Sequence, residues 1–388
     1  MTWVFWISVA LIGYTYVGYA AWLWVRGRMW NRPVARDFRQ PFVSIVMVVR
    51  NEAHVIEAKL RNLLSLNYPR ELVEIVVTSD GSTDETSEIV SRYVSRGNVS
   101  LIAKANSHGK AAGLNDAIAH ARGEVVVFTD ARQMIEPDSL QLLADDFADL
   151  HVGCSSGELM LGDPQVGESS RRISLYWRIE KKLRELESAS GSVVGATGAL
   201  YAVRRKLLCD LPHGTILDDV FIPMNVVRQG YRVIFNSKAR AWDVADQGMD
   251  REFSRKVRTL SGNYQLLQLA PWLLRRENPI RLEFISHKLL RLLVPFALIA
   301  TLLSSLFLHA TIYRIAMIAQ FTFYALCLVA MTRSARGPVA RVADAAFTFV
   351  VLNAAATVAF ANFVMGRKAA WNGPVGDPIR SQVSICKS

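Results

Sequence analysis

Four stretches of this chain, residues 3–25, 292–313, 315–332 and 345–366, contain no Asp, Glu, Lys or Arg. Each is close to the ~20 apolar residues that cross the hydrocarbon core of a bilayer. Within that core every backbone N–H and C=O must be satisfied internally, so each stretch is confined to a helix. A simple water-soluble globule is excluded, and a hydrophobic content of 51% over 388 residues agrees. The expectation is a membrane protein with a soluble domain between its first and later spans. No basic residue precedes the first run, which is also too long for a cleaved signal peptide, so residues 1–26 are expected to be an anchor.

The net charge of +11 would suit nucleic acid, but its clearest clusters flank the spans. Arg26, Arg28, Arg32, Arg36 and Arg39 follow the first, and Arg333, Arg336 and Arg341 the third. This is the positive-inside pattern, and it also matches anionic lipid head groups. With no zinc-finger or RNA-binding signature, no nucleic-acid partner is expected. The orientation implied is an integral inner-membrane protein with its soluble domain in the cytoplasm. Counting four spans puts the tail, 367–388, outside, yet Arg367 and Lys368 follow the last span. Either the tail departs from the rule or one late segment is interfacial or re-entrant. Cys154, Cys209, Cys327 and Cys386 have no metal or redox spacing.

The soluble part reads as α/β. Residues 43–49 are an unbroken, β-branched apolar run, as in a strand buried on both faces. Strands are expected at 73–78, 99–102 and 125–129, alternating with helices at 87–94, 111–121 and 140–147. That alternation implies right-handed crossovers and a mostly parallel sheet, with ligands beyond the carboxyl ends of the strands. The loops that matter then begin at Arg50, Ser79, Ala103 and Asp130. Farther on, 152–161 reads as a strand and 168–188 as a helix with a seam at Ile173, Tyr176, Trp177 and Leu183. Residues 255–276 are amphipathic and suit either the membrane interface or packing within the soluble domain.

Several motifs sit where strands should end. In Ser79–Asp84, Gly81 permits a turn and Asp84 can cap a helix, which leaves Asp80 free to accept from a base or ribose. His108-Gly109-Lys110 offers backbone N–H groups and an ammonium suited to a diphosphate, although its spacing is not that of a Walker A loop. Asp130 ends the fourth strand, where a carboxylate beside a diphosphate is a sensible Mg2+ or Mn2+ ligand. Asp218 and Asp219 open an apolar run that ends at Gly230. They suit a helix N-terminus as caps, but the upstream carboxylates and lysine favour a chemical role. Arg255 and Arg258, three apart on one helix face, form either a phosphate clamp or a solvated basic patch.

Together these residues resemble the membrane-embedded family 2 inverting glycosyltransferases, the branch of cellulose, chitin, hyaluronan and poly-N-acetylglucosamine synthases. The resemblance runs from about residue 43 to 274 and implies a GT-A domain at 40–250, an amphipathic segment at 251–290 and membrane helices at 291–366. It implies a nucleotide-sugar donor, commonly a UDP-sugar, a divalent metal, and a glycan or lipid-linked acceptor at the bilayer. Arg50, Asn51, Glu52 and Asp80 would hold the nucleoside, and Lys110, Arg255 and Arg258 would lie by the diphosphate. Asp130 would bind metal, and Asp219, beside Asp218, would be the general base. Gly195, Thr197, Gly198, Tyr201 and Trp177 would border the acceptor.

Two departures stand out. Arg132 replaces the second metal carboxylate, and Arg255-Lys256-Val257-Arg258-Thr259 lacks the tryptophan of the processive synthases' Gln-x-x-Arg-Trp motif. The missing tryptophan favours single sugar transfer to a lipid carrier over polymerisation. A decayed nucleotide-sensing subunit is the non-enzymatic alternative. A transporter fits poorly, since the expected spans carry no ionisable residue. Sugar, linkage and oligomeric state stay open.

Overall fold

The computed structural model describes residues 1–95, 98–163, 167–168, 175–243, 249–332 and 337–367. Strand β1 (Val43–Val49) is buried at every position. Alternate side chains feed two cores, with Val46 and Val48 on one face and Val43, Ile45, Met47 and Val49 on the other. β1 pairs in parallel with β2 (Val73–Asp80) on one side and with β4 (Val125–Phe128) on the other, and β3 (Val99–Lys104) extends β2. The sheet also contains β5 (Met134–Ile135), β6 (Val152–Asp163), β7 (Gly167–Glu168), β8 (Tyr201–Arg204) and β9 (Arg232–Asp243). Its order is β3-β2-β1-β4-β8-β6-β9-β5, with β7 paired to β6.

Two features of this order create a site. The strand sequence reverses direction at β1, which opens a crevice above the carboxyl ends of β1, β2 and β4. β8 then runs antiparallel to β4, with Phe128 opposite Tyr201. Its amino end, and the loop before it, therefore lie at the edge where β4 delivers Asp130.

Helices α1 (Ala53–Leu64) and α2 (Thr86–Val94) cover one face through Ile56, Leu60, Leu63, Ile89 and Val90. α3 (Lys110–His120) covers the other through Ala111, Leu114 and Ala117. α4 (Ser139–Asp145) packs against β9 and β6, while α5 (Leu175–Ser190) packs on β9 and the first span. The seam expected at Ile173 lies outside the described residues. α6 (Asp218–Arg228) carries an internal Pro223, which leaves the Asp219 carbonyl without its intrahelical donor, and Ala196 N takes that carbonyl at 2.7 Å instead. α7 (Met249–Leu269) begins earlier than the amphipathic pattern indicated and stops before Pro271.

Among the described residues, four helices are long and apolar enough to cross a membrane: Thr2–Met29, Arg281–Phe307, Thr311–Thr332 and Val339–Val364. The second differs from the expected 292–313. Its helix starts at Arg281 and ends at Phe307, because Leu308 is extended. The ionisable residues excluded from the expected spans, among them Glu283, His287, Lys288 and Arg291, form its first turns, and Asp344 lies in the fourth. Absence of charge misplaced the boundary because several of these charges are paired within the molecule. Arg26 pairs with Glu283, and Arg291 with Glu180. The tail beyond residue 367 lies outside the described residues.

Candidate active site

At the crevice, Lys110 begins α3 after Gly109, whose φ of 93° is accessible to glycine and strained for other residues. Asp80 organises this turn. It is fully buried and accepts from Ser107 Oγ at 2.7 Å, His108 N at 2.9 Å and Gly109 N at 2.9 Å. Burial opposes its charge, but these three donors outweigh burial and hold the carboxyl below the usual range. This corrects the expectation that Asp80 is free for a base or ribose. A strand-end carboxylate beside a loop of unpaired N–H groups is captured by that loop.

Lys110 Nζ lies 3.0 Å from Asp130 Oδ1 and 3.3 Å from Asp218 Oδ1, joining β4, α3 and α6. Burial disfavours the ammonium, but the two carboxylates outweigh it and hold Lys110 above the ordinary lysine range. Asp218 and Asp219 occupy the first turn of α6, and neither side chain caps it. Asp219 is enclosed by the loop that precedes β8. Its carbonyl accepts from Ala196 N at 2.7 Å, and a Cβ at Gly198 would meet its Oδ2 at 3.3 Å. Burial and the neighbouring Asp218 push the Asp219 carboxyl up to about 6, while Lys110, Lys288 and Arg184 pull it down. A carboxylate near pH 6 is well suited to take a proton.

The remaining expected residues divide. Arg258 on α7 faces the group: burial lowers its affinity for a proton, and Asp218, Asp130 and Asp219 restore part of it. Arg255 is exposed, so the anticipated two-arginine clamp reduces to Arg258. Asn51, at φ 54°, turns its Oδ1 to Thr83 N at 2.8 Å. Glu52 takes Arg132 Nε at 3.4 Å, so the arginine in the second metal position is tethered beside the cleft. Arg50 is half-buried, its Nε without a hydrogen-bond partner among the described residues. Thr197 N donates to Ser156 Oγ at 2.8 Å, and Gly195 adopts a φ of 103° under Val220.

Tyr201 is fully buried and stacks on Phe128 at 4.5 Å with an interplanar angle of 5°. Its hydroxyl has no partner among the described residues. Burial and the charges of Asp218, Asp219 and Asp130 hold the phenol well above its normal range. Tyr201 is therefore a wall behind the carboxylates, not an exposed acceptor platform, because β8 is an interior strand. Trp177 is exposed on the first turn of α5.

Sequence reasoning missed Lys59. It lies on the apolar stripe Ile56-Lys59-Leu60-Leu63, and a lysine at a core position was the available signal. Fully buried, Lys59 donates to Thr129 Oγ1 at 2.8 Å and to Gln133 O at 2.5 Å. Thr129 in turn donates to Ala199 O at 2.9 Å. One ammonium thus ties the Asp130 loop to the loop around Asp219. Burial depresses Lys59 to about 7, against the pull of Asp130.

Beside Arg258, a cavity of about 260 Å³ between α7 and the fourth span is lined by Phe253, Val257, Ser261, Val358 and Asn362.

The sheet order and the crevice above it are those of a GT-A type fold. The chain is similar to the solved mannosyltransferase PcManGT from Pyrobaculum calidifontis, described in complex with GDP-Man and Mn2+. The two are 23% identical with a TM-score of 0.73, covering 94% of this chain and 99% of that one. Residues 44–211 match the model of Glycosyl transferase family 2.

Curated relatives include the poly-beta-1,6-N-acetyl-D-glucosamine synthase of Staphylococcus aureus strain COL. It is 22% identical over 234 residues, which is 58% of this chain and 55% of the relative. The synthase of the same name from Staphylococcus epidermidis is 22% identical over 271 residues, 67% of this chain and 64% of that one. The chain thus spans little more than half the length of the curated relatives it matches.

Proposed function

We propose that this protein is an inverting glycosyltransferase that moves a sugar from a nucleotide-sugar donor, of the UDP-sugar type, to an acceptor at the membrane, in cell-envelope polysaccharide synthesis. The observation that carries this reading is the Lys110 ammonium set between Asp130 and Asp218, with Asp219 enclosed alongside. The donor diphosphate lies against Lys110 and Arg258, whose cations meet developing negative charge. Asp219 takes the proton of the acceptor hydroxyl as its oxygen attacks the anomeric carbon. A single displacement inverts the centre. Arg50, Asn51 and Glu52 border the nucleoside, and the Gly195–Gly198 loop borders the acceptor.

Asp130 is the residue that would hold a divalent ion, and the fit is to Mg2+ or Mn2+. Such an ion needs one or two carboxylates, with donor phosphates and water completing its shell. The Asp130 side chain is 41% exposed, so it is open to such a complex. Among the described residues there is no cluster of three His, Cys, Asp or Glu that would hold an ion without donor. The ion would offset charge on the departing diphosphate.

The catalytic domain is cytoplasmic in this reading, since the arginines after the first span mark the inner face. Thr259, where the processive synthases carry tryptophan, is exposed on α7, and this favours one transfer over a growing chain. Incubating the purified full-length protein with a panel of nucleotide sugars and membrane lipid extract tests the proposal. Metal-dependent release of nucleoside diphosphate with one added sugar supports it, and a ladder of products supports polymerisation. No turnover and no binding of any nucleotide sugar rejects it.

A further inference from the structure

Helix α1 is bonded along its length to the segment that carries Asp130. Glu52, which flanks its amino end, pairs with Arg132 at 3.4 Å. Two turns on, Lys59 Nζ donates to Thr129 Oγ1 at 2.8 Å and to the Gln133 carbonyl at 2.5 Å. Asn62 then holds Ile135 twice, accepting from its N–H and donating to its carbonyl at 2.9 Å each. Asp130 thus sits in a turn whose two ends, Thr129 and Gln133, are joined by one ammonium. The sheet gives this turn little help, since β4 ends at Phe128 and β5 has only two residues.

Lys59 does not reach the donor itself. Its side chain is fully buried and its ammonium is committed to two neutral oxygens. Asp130 attracts it without forming an ion pair among the described residues. Burying an ammonium costs more than burying a methionine of similar length. What the ammonium adds is a fixed separation between the ends of the turn, which an apolar side chain cannot impose.

Thr129 extends the link. Accepting from Lys59, its hydroxyl donates to Ala199 O at 2.9 Å, in the loop that leads past Asp219 to β8. Two lysines therefore divide the work at Asp130. Lys110 pairs with the carboxylate, an interaction that a ligand can exchange. Lys59 holds the backbone on either side of it, buried where no ligand competes.

We propose that Lys59 is a positioning residue that sets Asp130 for the divalent ion and donor diphosphate and ties that carboxylate to the loop around Asp219. This rests on the glycosyl-transfer reading and extends it to a residue that touches neither substrate. Removing a group that orients a metal ligand typically weakens metal binding by roughly 10–100-fold.

The test uses full-length protein in detergent, with Mn2+ binding followed by electron paramagnetic resonance in the presence of UDP and, separately, of GDP. Lys59→Met should weaken Mn2+ binding about tenfold. It should raise the half-saturating Mn2+ for transfer by a similar factor, with a smaller fall in kcat at saturating Mn2+. Thr129→Val removes the hydroxyl that Lys59 holds, and gives the same reading should Lys59→Met fail to fold. The double variant should lose little more than Lys59→Met alone, because both remove one link. Val90→Ala thins the same core from α2 without a bond to the turn. It should lower the melting temperature and leave Mn2+ binding unchanged.

A Lys59→Met protein that melts lower yet binds Mn2+ like wild type overturns the proposal. So does a Val90→Ala protein with the same loss of Mn2+ binding, or a double variant whose losses add in full. If wild type binds Mn2+ with neither nucleotide, the nucleotide-sugar reading fails and the proposal with it.

Discussion

Two regions of this molecule use the same device, a cationic side chain between two carboxylates, for different ends. In the crevice, Lys110 lies between Asp130 and Asp218 at 3.0 and 3.3 Å. At the membrane junction, His287 lies between Glu180 and Glu187 at 2.7 Å each. The side chains of Lys110 and Asp130 are 19% and 41% exposed, whereas those of His287 and Glu187 are 2% and 0% exposed. An open cluster can exchange its internal pairs for a ligand's charges. A sealed one cannot, and breaking it leaves uncompensated charge in the interior. The first is built to be interrupted and the second to hold spans and catalytic domain together.

The contrast can be broken or sharpened by substitution. The largest effect is expected beside the open cluster: Asp219→Asn should reduce transfer by roughly 10²–10⁴-fold, the scale of a lost general base. Donor binding, measured by titration calorimetry, should survive, and near-native turnover would remove Asp219 from the mechanism. Next, His287→Ala should destabilise the protein by about 3–5 kcal/mol by leaving two buried carboxylates facing each other. Denaturant unfolding in detergent reads this directly.

Lys110→Met should lower donor affinity about tenfold and cost less stability than His287→Ala, because Asp130 remains open to solvent while Asp218 alone is buried. If the two variants unfold alike, the division between exchangeable and sealed clusters fails. The smallest effect is in the pH profile. Asp219 acts when deprotonated, so transfer should fall as pH drops through about 6 and level off above it. Asp218→Asn removes a neighbouring charge that raises this value, so the midpoint should move to lower pH.

Much of the sheet was legible in the sequence because strands buried on both faces leave unbroken β-branched runs. Residues 43–49 form β1 as expected, and the loops ending β2 and β4 lie at one edge. Asp130 and Lys110 were singled out because residues capable of chemistry stood beyond strand ends, and Asp219 because it opens a helix beside a second carboxylate. The fold brings the three to one edge of the sheet. Lys59, Arg184 and Lys288 were not found. Each is a common surface residue whose meaning depends on what packs over it, and no local pattern records that. Asp80 failed in the opposite direction: its position suggested an open contact, and three donors from a loop 27 to 29 residues away closed it.

The sequence by itself determined that the chain carries helices long and apolar enough to cross a bilayer and that an alternating α/β domain lies between them. Hydrophobic periodicity and length are local quantities, and the physics that reads them acts segment by segment. Tertiary structure alone decided where the second span begins, because Glu283, His287 and Arg291 are tolerated there only once Arg26, Glu180 and Glu187 neutralise them. It also decided which lysines face which carboxylates. Charge is a property of pairs, and residues 110, 130 and 218 become a cluster only when β4, α3 and α6 meet at one edge of the sheet.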